Sequence, residues 1–177
     1  MSLALLLGGA RSGKSAMAVR LAGASGSPVT FIATAVAGDD EMALRIARHR
    51  ESRPAEWTTV EAPLDLLEAV RSAAAGDFLV VDCLTLWVSN LLGQGADAAE
   101  IDAAAATVMQ SLRGRDCVVV TNEVGLGIVP VNEMARGFRD TLGSVNALFA
   151  ASADKAVLMV AGRALDLINV DHVIGSR

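Results

Sequence analysis

The sequence has no long apolar segment, although 53% of its 177 residues are hydrophobic. Its longest apolar stretches, near residues 3–7, 78–81 and 156–161, are soon interrupted by glycine, aspartate or arginine. A membrane-spanning helix needs about 20 apolar residues, so no membrane span is predicted. The first stretch is also too short for the core of a signal peptide, and no basic residue precedes it, so no signal peptide is expected.

Cysteine is scarce, and positive charge is not in excess. The two cysteines, Cys83 and Cys117, can form at most one disulfide, and both lie in or beside apolar runs. Buried free thiols in a reducing cytoplasm are therefore predicted rather than a disulfide framework. The formal net charge is −5, whereas nucleic-acid binders usually carry a basic stripe, so no nucleic-acid partner is expected.

Apolar runs alternate with helix-like segments along the chain, which predicts right-handed βαβ units and a mostly parallel sheet. No linker or internal repeat divides the chain, so residues 1–177 are interpreted as one domain. Strands are predicted at residues 3–7, 29–33, 58–60, 78–81, 117–121 and 156–160. Helices are predicted at residues 15–24, 40–52, 63–75, 86–92, 98–112 and 132–151.

Residues 8–15 match the phosphate-binding pattern G-x-x-x-x-G-K-S. In order, they are Gly8, Gly9, Ala10, Arg11, Ser12, Gly13, Lys14 and Ser15. The glycines let backbone N–H groups face phosphate oxygens, and the following helix adds its positive N-terminal end. Lys14 is predicted to reach the β- and γ-phosphates, and the Ser15 hydroxyl to bind Mg²⁺. The motif predicts an α/β, P-loop NTPase-like (RecA-like) three-layer fold with a mostly parallel central sheet, in an enzyme of phosphoryl or nucleotidyl transfer.

Acidic residues follow two of the strongest predicted strands. Asp82 comes directly after residues 78–81, and Glu123 follows the next strong strand. Ligands of open α/β sheets bind at the carboxyl ends of strands, so Asp82, Thr85, Asn122 and Glu123 are expected on one edge with the P-loop. Asp82 is predicted to help bind Mg²⁺. The alternative is that Asp82 only caps the helix that follows.

Further motifs make the identification more specific than the P-loop does, and no N-K-x-D motif of GTPases occurs. The chain carries F-I-A-T-A at residues 31–35, V-D-C-L-T-L-W at residues 81–87 and T-N-E-V-G-L-G-I-V-P at residues 121–130. Other matching positions are His49, Arg50, Arg53, Pro54, residues 57–61, Asn90, Arg136, residues 138–140, Gly143, Asn146 and residues 161–162. Over essentially the whole chain, these motifs resemble the bifunctional adenosylcobinamide kinase / adenosylcobinamide-phosphate guanylyltransferase family of cobalamin biosynthesis.

The resemblance implies two reactions at one site. ATP or GTP phosphorylates the aminopropanol hydroxyl of adenosylcobinamide. GTP then guanylylates a histidine, matched here by His49, and the GMP passes to adenosylcobinamide phosphate to give adenosylcobinamide-GDP. Besides residues 8–15, the resemblance implies nucleotide contacts at Ala33, Thr34, Ala35, Arg50, Glu51, Ser52, Arg53, Glu61 and Asp82. It also implies a homotrimer.

The residues around His49 can be interpreted without the resemblance. His49 continues an apolar stripe begun by Met42 and Ile46, which equally fits a partly packed histidine at the edge of a buried face. The only other histidine, His172, has no candidate catalytic residues near it in the sequence and is expected on the surface. The arginines near His49 suit triphosphate oxygens, or else form a solvated basic helix face paired with nearby glutamates. These arginines are Arg45, Arg48, Arg50 and Arg53.

The sequence departs from the family pattern in two places, and two other functions stay open. Residues 163–164 are Arg-Ala where an apolar residue and proline are usual, and Arg48 stands where some members have a second histidine.

Trp57 and Trp87 fill the core or pack against the corrinoid, and core packing is favoured. The competing functions are a P-loop small-molecule kinase without a covalent nucleotidyl step and a regulatory ATPase that transfers phosphate to water.

Overall fold

The computed structural model describes residues 3–51 and 53–170, so Ser52 and His172 lie outside the described residues. Within them, seven strands form one sheet. The strands are β1 (Leu3–Gly8), β2 (Val29–Ala33), β3 (Thr58–Glu61), β4 (Phe78–Asp82), β5 (Cys117–Val120), β6 (Lys155–Val160) and β7 (Arg163–Leu167). The first six are the predicted strands, with shifts of one residue or none at their ends.

Six helices connect the strands within the same described ranges. They are α1 (Lys14–Gly23), α2 (Asp40–Glu51), α3 (Leu66–Ser72), α4 (Leu84–Gly93), α5 (Ala98–Leu112) and α6 (Glu133–Ser152). The start of α5 is fixed by a capping box, in which the side chains of Asp97 and Glu100 accept from each other's backbone N–H groups. The predicted helix at residues 63–75 is shorter in the structure, because Asp65 takes the N-cap position and Ala73 is extended.

The strand order is β3-β2-β4-β5-β1-β6-β7. All neighbouring pairs are parallel except β6 and β7, which are antiparallel. The prediction of an α/β fold with a mostly parallel sheet is therefore confirmed. Strand β5 lies between β1, which leads into the P-loop, and β4, which ends at Asp82. The carboxyl ends of these three strands consequently meet at one edge.

Both faces of the sheet are covered, as a chain of continuous apolar strands requires. On one face, Leu5, Val81 and Val119 pack against helices α3 to α6, where Trp87 and Phe149 are among the largest buried side chains. The opposite face packs against α1 and contains a second, smaller set of strand residues, including Leu6, Phe31, Val80 and Val118. The helices on both faces give the three layers expected from the sequence.

Strand β7 was not predicted, because its sequence carries no burial pattern. All five of its residues are exposed on the sheet edge. It is reached through a tight turn in which Ala161 and Gly162 both have positive φ. The Arg163-Ala164 departure lies at the start of this edge strand, where Arg163 pairs with Val160.

The remaining expectations about composition concern the cysteines and the membrane. Cys83 and Cys117 are both buried free thiols, as predicted. Burial raises the pKa of Cys83 to about 11 and that of Cys117 to about 12, so both stay protonated near neutral pH. None of the helices in the described part of the chain is long and apolar enough to cross a membrane.

The P-loop turn depends on glycine at its first position. Gly8 ends β1 with φ of 150°, and a Cβ atom there would lie 2.3 Å from the Met159 carbonyl oxygen of the neighbouring strand. At Gly9, by contrast, a Cβ atom would meet nothing within 4 Å. Two glycines of one motif therefore carry different constraints.

We predict that Gly8→Ala destabilises the protein by roughly 2–4 kcal/mol, because the methyl group strains the backbone and collides with a main-chain oxygen that cannot move aside. Gly9→Ala is the matched control and should change stability by less than about 1 kcal/mol. Chemical denaturation of both variants without nucleotide measures the difference. Equal stabilities of the two variants would contradict the close packing of the P-loop against β6.

Candidate active site

Lys14 begins α1 and lies inside the P-loop, where it is 6% exposed. Its Nζ donates hydrogen bonds to the carbonyl oxygens of Gly8 and Gly9, both at 2.7 Å, and approaches Ser12 Oγ at 3.3 Å. Burial lowers the pKa of the Lys14 amine, and Asp82 is among the groups that oppose this. Such an incompletely compensated buried cation favours an anion nearby.

Two main-chain hydrogen bonds brace the P-loop from neighbouring segments. Gly162 N–H, in the β6–β7 turn, donates to Ser12 O at 3.0 Å. Glu123 N–H, just after β5, donates to Gly8 O at 3.2 Å. Glu123 of the T-N-E-V-G-L-G-I-V-P motif and Gly162 of the pair at residues 161–162 therefore both contact the phosphate-binding loop.

Asp82 ends β4 beside the P-loop, as the sequence predicts, and hydrogen-bonds the Ser15 side chain. Burial raises the pKa of the Asp82 carboxyl, while His49, the Ser15 hydroxyl, Arg53 and Lys14 oppose the increase. The carboxylate is therefore short of positive charge despite its cationic neighbours. Ser15 and Asp82 are adjacent, which is the arrangement predicted for the two metal ligands.

The Ser15–Asp82 pair fits a divalent cation by its chemistry. A carboxylate whose pKa is raised by burial gains from a nearby cation, and a hydroxyl is an ordinary oxygen ligand of Mg²⁺. Among residues 3–51 and 53–170, no group of three or more acidic, histidine or cysteine side chains could hold a metal ion. A site with these two protein ligands suits Mg²⁺ bound largely by phosphates and water.

The end of β2 is fixed to the end of β4 through Thr34. Its Oγ1 donates to Cys83 O at 2.7 Å and accepts from Cys83 N–H at 2.8 Å, and Asn90 Nδ2 donates to Thr34 O at 2.8 Å. Thr34 is fully buried, so its side chain stabilises the two strand ends, whereas Ala33 and Ala35 on either side line a cavity.

Helix α2 lies over this edge of the sheet with its least exposed positions facing inward. Met42, Ile46 and His49, spaced as the sequence suggests, are its half-buried residues. Beneath them is a cavity of about 140 Å³. Its lining comprises Lys14, Ser15, Ala33, Ala35, Met42, Arg45, Ile46, His49, Arg50, Arg53, Glu61, Asp82, Cys83, Leu86, Val120 and Asn122. We call this the strand-end cavity.

A second cavity of about 550 Å³ lies along the P-loop. It is lined by P-loop residues and by a different side of α2: Ala10, Arg11, Ser12, Gly13, Lys14, Ser15, Ala16, Glu41, Leu44, Arg45, Arg48 and His49. We call this the P-loop cavity. Four residues, Lys14, Ser15, Arg45 and His49, line both cavities, so His49 lies where the two spaces meet.

Arg53 presents unpaired donors at the same site. Its guanidinium lies over the Phe31 ring, 3.5 Å from the centroid. Its Nε and Nη1 are buried without a hydrogen-bond partner within the described parts of the chain. Burial lowers the pKa of Arg53, while Asp82 and Glu61 raise it. Buried donors without partners are costly, and phosphate oxygens could satisfy them.

The other sequence-predicted site residues are more exposed. Arg50 forms a salt bridge with Glu61, and both side chains are more than half exposed, so the pair adds little stability. Glu51 is exposed on α2 and lines neither cavity. Glu123 follows β5, where its Oε1 accepts a 2.6 Å hydrogen bond from Gly125 N–H.

The tryptophans pack in the protein interior. Trp87 is 2% exposed and donates from Nε1 to Leu64 O at 2.8 Å, which confirms the core interpretation for that residue. Trp57 is half-buried against the α1 side of the sheet. Neither lines the strand-end cavity or the P-loop cavity.

Some lining residues were not singled out from the sequence. Leu86 and Val120 contribute apolar surface to the strand-end cavity, and Phe31 carries the Arg53 guanidinium. The signal for Phe31 was its place at the start of the F-I-A-T-A motif, whose last three residues were expected at the site. Leu86 likewise lies in the V-D-C-L-T-L-W motif, whereas Val120 gave no signal, because an apolar strand residue is equally suited to the core.

The strand order, the P-loop between β1 and α1, and the acidic end of β4 define a P-loop nucleotide-binding protein. Solved structures support the fold. An ATPase of the type III secretion system of pathogenic bacteria superposes with a TM-score of 0.54 at 9% identity, covering 97% of this chain and 60% of that one. The RadB recombinase superposes with a TM-score of 0.50 at 16% identity, covering 89% and 73%. At these identities the likeness concerns the fold alone.

Sequence relatives then fix the family. The family model described as cobinamide kinase / cobinamide phosphate guanyltransferase matches residues 4–167. The bifunctional adenosylcobalamin biosynthesis protein CobP of Pseudomonas aeruginosa is 47% identical, covering 92% of this chain and 95% of that protein. The corresponding CobU protein of Salmonella typhimurium is 43% identical, covering 89% and 95%. The chain belongs to the cobinamide kinase / cobinamide phosphate guanyltransferase family, and it is a transferase.

We predict that Asp82→Asn stabilises the nucleotide-free protein at neutral pH. A raised folded-state pKa means that stability falls as pH rises from the unfolded value, about 3.9, through the folded value. The amide removes this loss, so the variant should melt at a higher temperature than wild type at pH 7, with the difference shrinking towards about pH 4.

The same variant should lose much of the thermal stabilisation that Mg²⁺ and GTP together give to wild type, because Asp82 no longer offers a charged ligand. Thermal unfolding with and without Mg²⁺-GTP measures both effects. A nucleotide-free variant that melts below wild type at pH 7, yet responds fully to Mg²⁺-GTP, would show that Asp82 has only a structural role.

Proposed function

We propose that this enzyme phosphorylates the aminopropanol hydroxyl of adenosylcobinamide with ATP or GTP, and then transfers GMP from GTP to the adenosylcobinamide phosphate. The second reaction passes through a guanylylated His49 and gives adenosylcobinamide-GDP. Family membership supports the two activities, and both are named for the family. The assignment of His49 is argued from the site.

The observation that carries this assignment is the position of His49 between two cavities. The P-loop cavity has the backbone N–H groups and cations that bind phosphates, including Lys14, Arg11 and Arg48. The strand-end cavity is partly apolar and suits a nucleoside. In guanylyl transfer, a GTP that occupies both spaces crosses from one to the other near its α-phosphate, which is then the phosphorus next to His49. In phosphorylation, the γ-phosphate lies beside Lys14 and Ser15, which line both cavities.

The lining of the strand-end cavity also suits a guanine base. Its apolar lining comes from residues such as Ala35, Ile46 and Leu86, and Glu61 adds a carboxylate at the rim. Guanine carries adjacent N–H donors on its Watson–Crick edge, and a carboxylate is an acceptor with two oxygens. Glu61, oriented by Arg50, is therefore the group that we assign to guanine recognition.

In the phosphorylation step, the acceptor hydroxyl oxygen bonds to the γ-phosphorus and gives up its proton to solvent, and the bond from that phosphorus to the β–γ bridging oxygen breaks. Lys14, fixed inside the P-loop, neutralises charge on the phosphate oxygens as the nucleoside diphosphate leaves. A bound Mg²⁺ would neutralise part of the charge on the phosphate oxygens. Ser15 and Asp82 are the residues that we assign to hold it.

In the guanylyl transfer, an imidazole nitrogen of His49 attacks the α-phosphorus and the α–β bridging oxygen leaves with pyrophosphate. A phosphate oxygen of the phosphorylated acceptor then attacks the same phosphorus, and the phosphorus–nitrogen bond breaks to restore the imidazole. Arg53, with buried unpaired donors, is placed to bind a non-bridging oxygen of the α-phosphate. Arg45, which lines both cavities, can stabilise the negative charge that develops on pyrophosphate as it leaves.

The homotrimer and the cytoplasmic location stay predictions that come with the family resemblance. A P-loop small-molecule kinase without a covalent step is the alternative function. In that enzyme His49 would only help to pack α2 against the sheet, and loss of the imidazole would affect folding or nucleotide affinity rather than one reaction.

We predict that His49→Ala abolishes the transfer of GMP but leaves phosphorylation of adenosylcobinamide within about tenfold of wild type. The two steps attack different phosphorus atoms, and only the α-phosphate step needs the imidazole. Both products are assayed from one preparation supplied with GTP.

His49→Gln is the matched variant, because it keeps a polar side chain on α2 without a nucleophilic nitrogen. It should show the same division between the two products. Formation of adenosylcobinamide-GDP by either variant at the wild-type rate would show that another residue is the nucleophile. Equal loss of both products would support the structural role of the alternative function.

A further inference from the structure

A ring of buried hydrogen bonds surrounds the main chain just beyond β5. Thr121 Oγ1 donates to Asn146 Oδ1 at 2.7 Å, and Thr85 Oγ1 lies 3.3 Å from Thr121 Oγ1. Because the Thr121 hydroxyl proton points to Asn146, Thr85 must be the donor in the second contact. Thr85, Thr121 and Asn146 are each less than 10% exposed.

The ring begins and ends on the backbone of Asn122. Asn122 N–H donates to Thr85 Oγ1 at 2.7 Å, and Asn122 O accepts from Asn146 Nδ2 at 3.0 Å. Thr85 lies on α4 and Asn146 on α6, so two helices hold a residue that follows the end of the strand. A fully paired buried network of this kind fixes one conformation of the segment that it surrounds.

The residue held in this way lies at the centre of the site. Asn122 lines the strand-end cavity together with Lys14, Ser15 and Asp82. It follows β5, which lies between the P-loop strand and the Asp82 strand. The N–H of the next residue, Glu123, donates a hydrogen bond to Gly8 O in the P-loop. Asn122 therefore stands between the phosphate-binding lysine and the acidic residue assigned to the metal.

We propose that Asn122 is a catalytic residue of the phosphorylation step, with Thr85 and Asn146 as its positioning residues. The carboxamide N–H of Asn122 donates a hydrogen bond to a non-bridging oxygen of the γ-phosphoryl group during transfer. Asn122 itself neither gains nor loses a proton. The bonds that form and break are those of the phosphorylation step. The inference rests on the proposed function. A fixed neutral donor stabilises developing charge without adding net charge to the site.

The network could instead serve only to fasten α4 and α6 to the sheet. The two roles differ in what they change: a structural network changes stability, whereas a transition-state donor changes kcat. Substitutions of Asn122 itself replace no member of the buried side-chain ring, which makes them the most direct test.

Asn122→Ala should lower kcat for phosphorylation by about 100-fold, while the Kd of the nucleotide stays within about threefold of wild type. Asn122→Asp should be at least as slow as the alanine variant, because a carboxylate has no N–H and repels the phosphoryl oxygens. An aspartate variant as fast as wild type would show that the position accepts a proton or a hydrogen bond, and would overturn the donor role.

The positioning residues are tested by pairs of variants. Thr85→Val removes the oxygen that holds Asn122 N–H and should lower kcat by about tenfold, and Thr85→Ser should restore most of it. Asn146→Ala should resemble Thr85→Val. Thr30→Val is the stability control, since Thr30 is also buried and bonds Asp77 at 2.6 Å, but at the opposite end of the sheet. It should lower the melting temperature without lowering kcat.

The outcomes separate the inference from the function on which it rests. If wild type forms no phosphorylated product, the proposed function fails. If wild type is active and Asn122→Ala keeps its kcat, the inference fails while the proposed function stands. A loss of kcat in Thr85→Val no larger than in an equally destabilised Thr30→Val would reduce the network to a structural role. If Asn146→Ala does not fold, the Asn122 and Thr85 variants still distinguish the catalytic role from the structural one.

Discussion

The parallel alignment of β1, β5 and β4 is the constraint on which the site depends. Parallel strands deliver their carboxyl ends to one edge, so the P-loop, Asn122 and Asp82 emerge side by side although they are far apart in sequence. At this edge Gly8 pairs with Met159 of β6, and the pairing leaves no room for a Cβ atom on Gly8. Helix α2 contributes no buried residue to the core and lies over this edge, so it is available to carry His49 and the arginines.

The charges at this edge are arranged for a ligand rather than for one another. Burial lowers the pKa of Lys14 and of Arg53 and raises that of Asp82, so these ions are incompletely compensated by their neighbours. Buried charges of this kind reduce stability, and groups at functional sites commonly show such shifts. A polyphosphate with its metal would pair with the cations and the carboxylate together. The stability that the unliganded protein loses through these charges would then be regained as binding free energy.

Much of this could be predicted from the sequence, because it depends on local patterns. The P-loop spacing, the apolar strands and Asp82 at a strand end are all readable within a few residues. Strand β7 was missed because an exposed edge strand leaves no burial pattern. Thr34 was expected to contact nucleotide, but only the fold shows that its hydroxyl is engaged by Cys83, 49 residues away. The Arg53–Phe31 contact and the ring around Asn122 likewise join residues that no local pattern connects.

The central claim is that His49 carries GMP from GTP to adenosylcobinamide phosphate. Wild-type protein incubated with GTP labelled at the α-phosphate should retain label on His49, stable in base and lost in acid, as a phosphoramidate requires. GTP labelled at the γ-phosphate should leave none, and added adenosylcobinamide phosphate should move the α-label into adenosylcobinamide-GDP. Protein that retains no α-label, or retains it on a residue other than His49, would contradict the account.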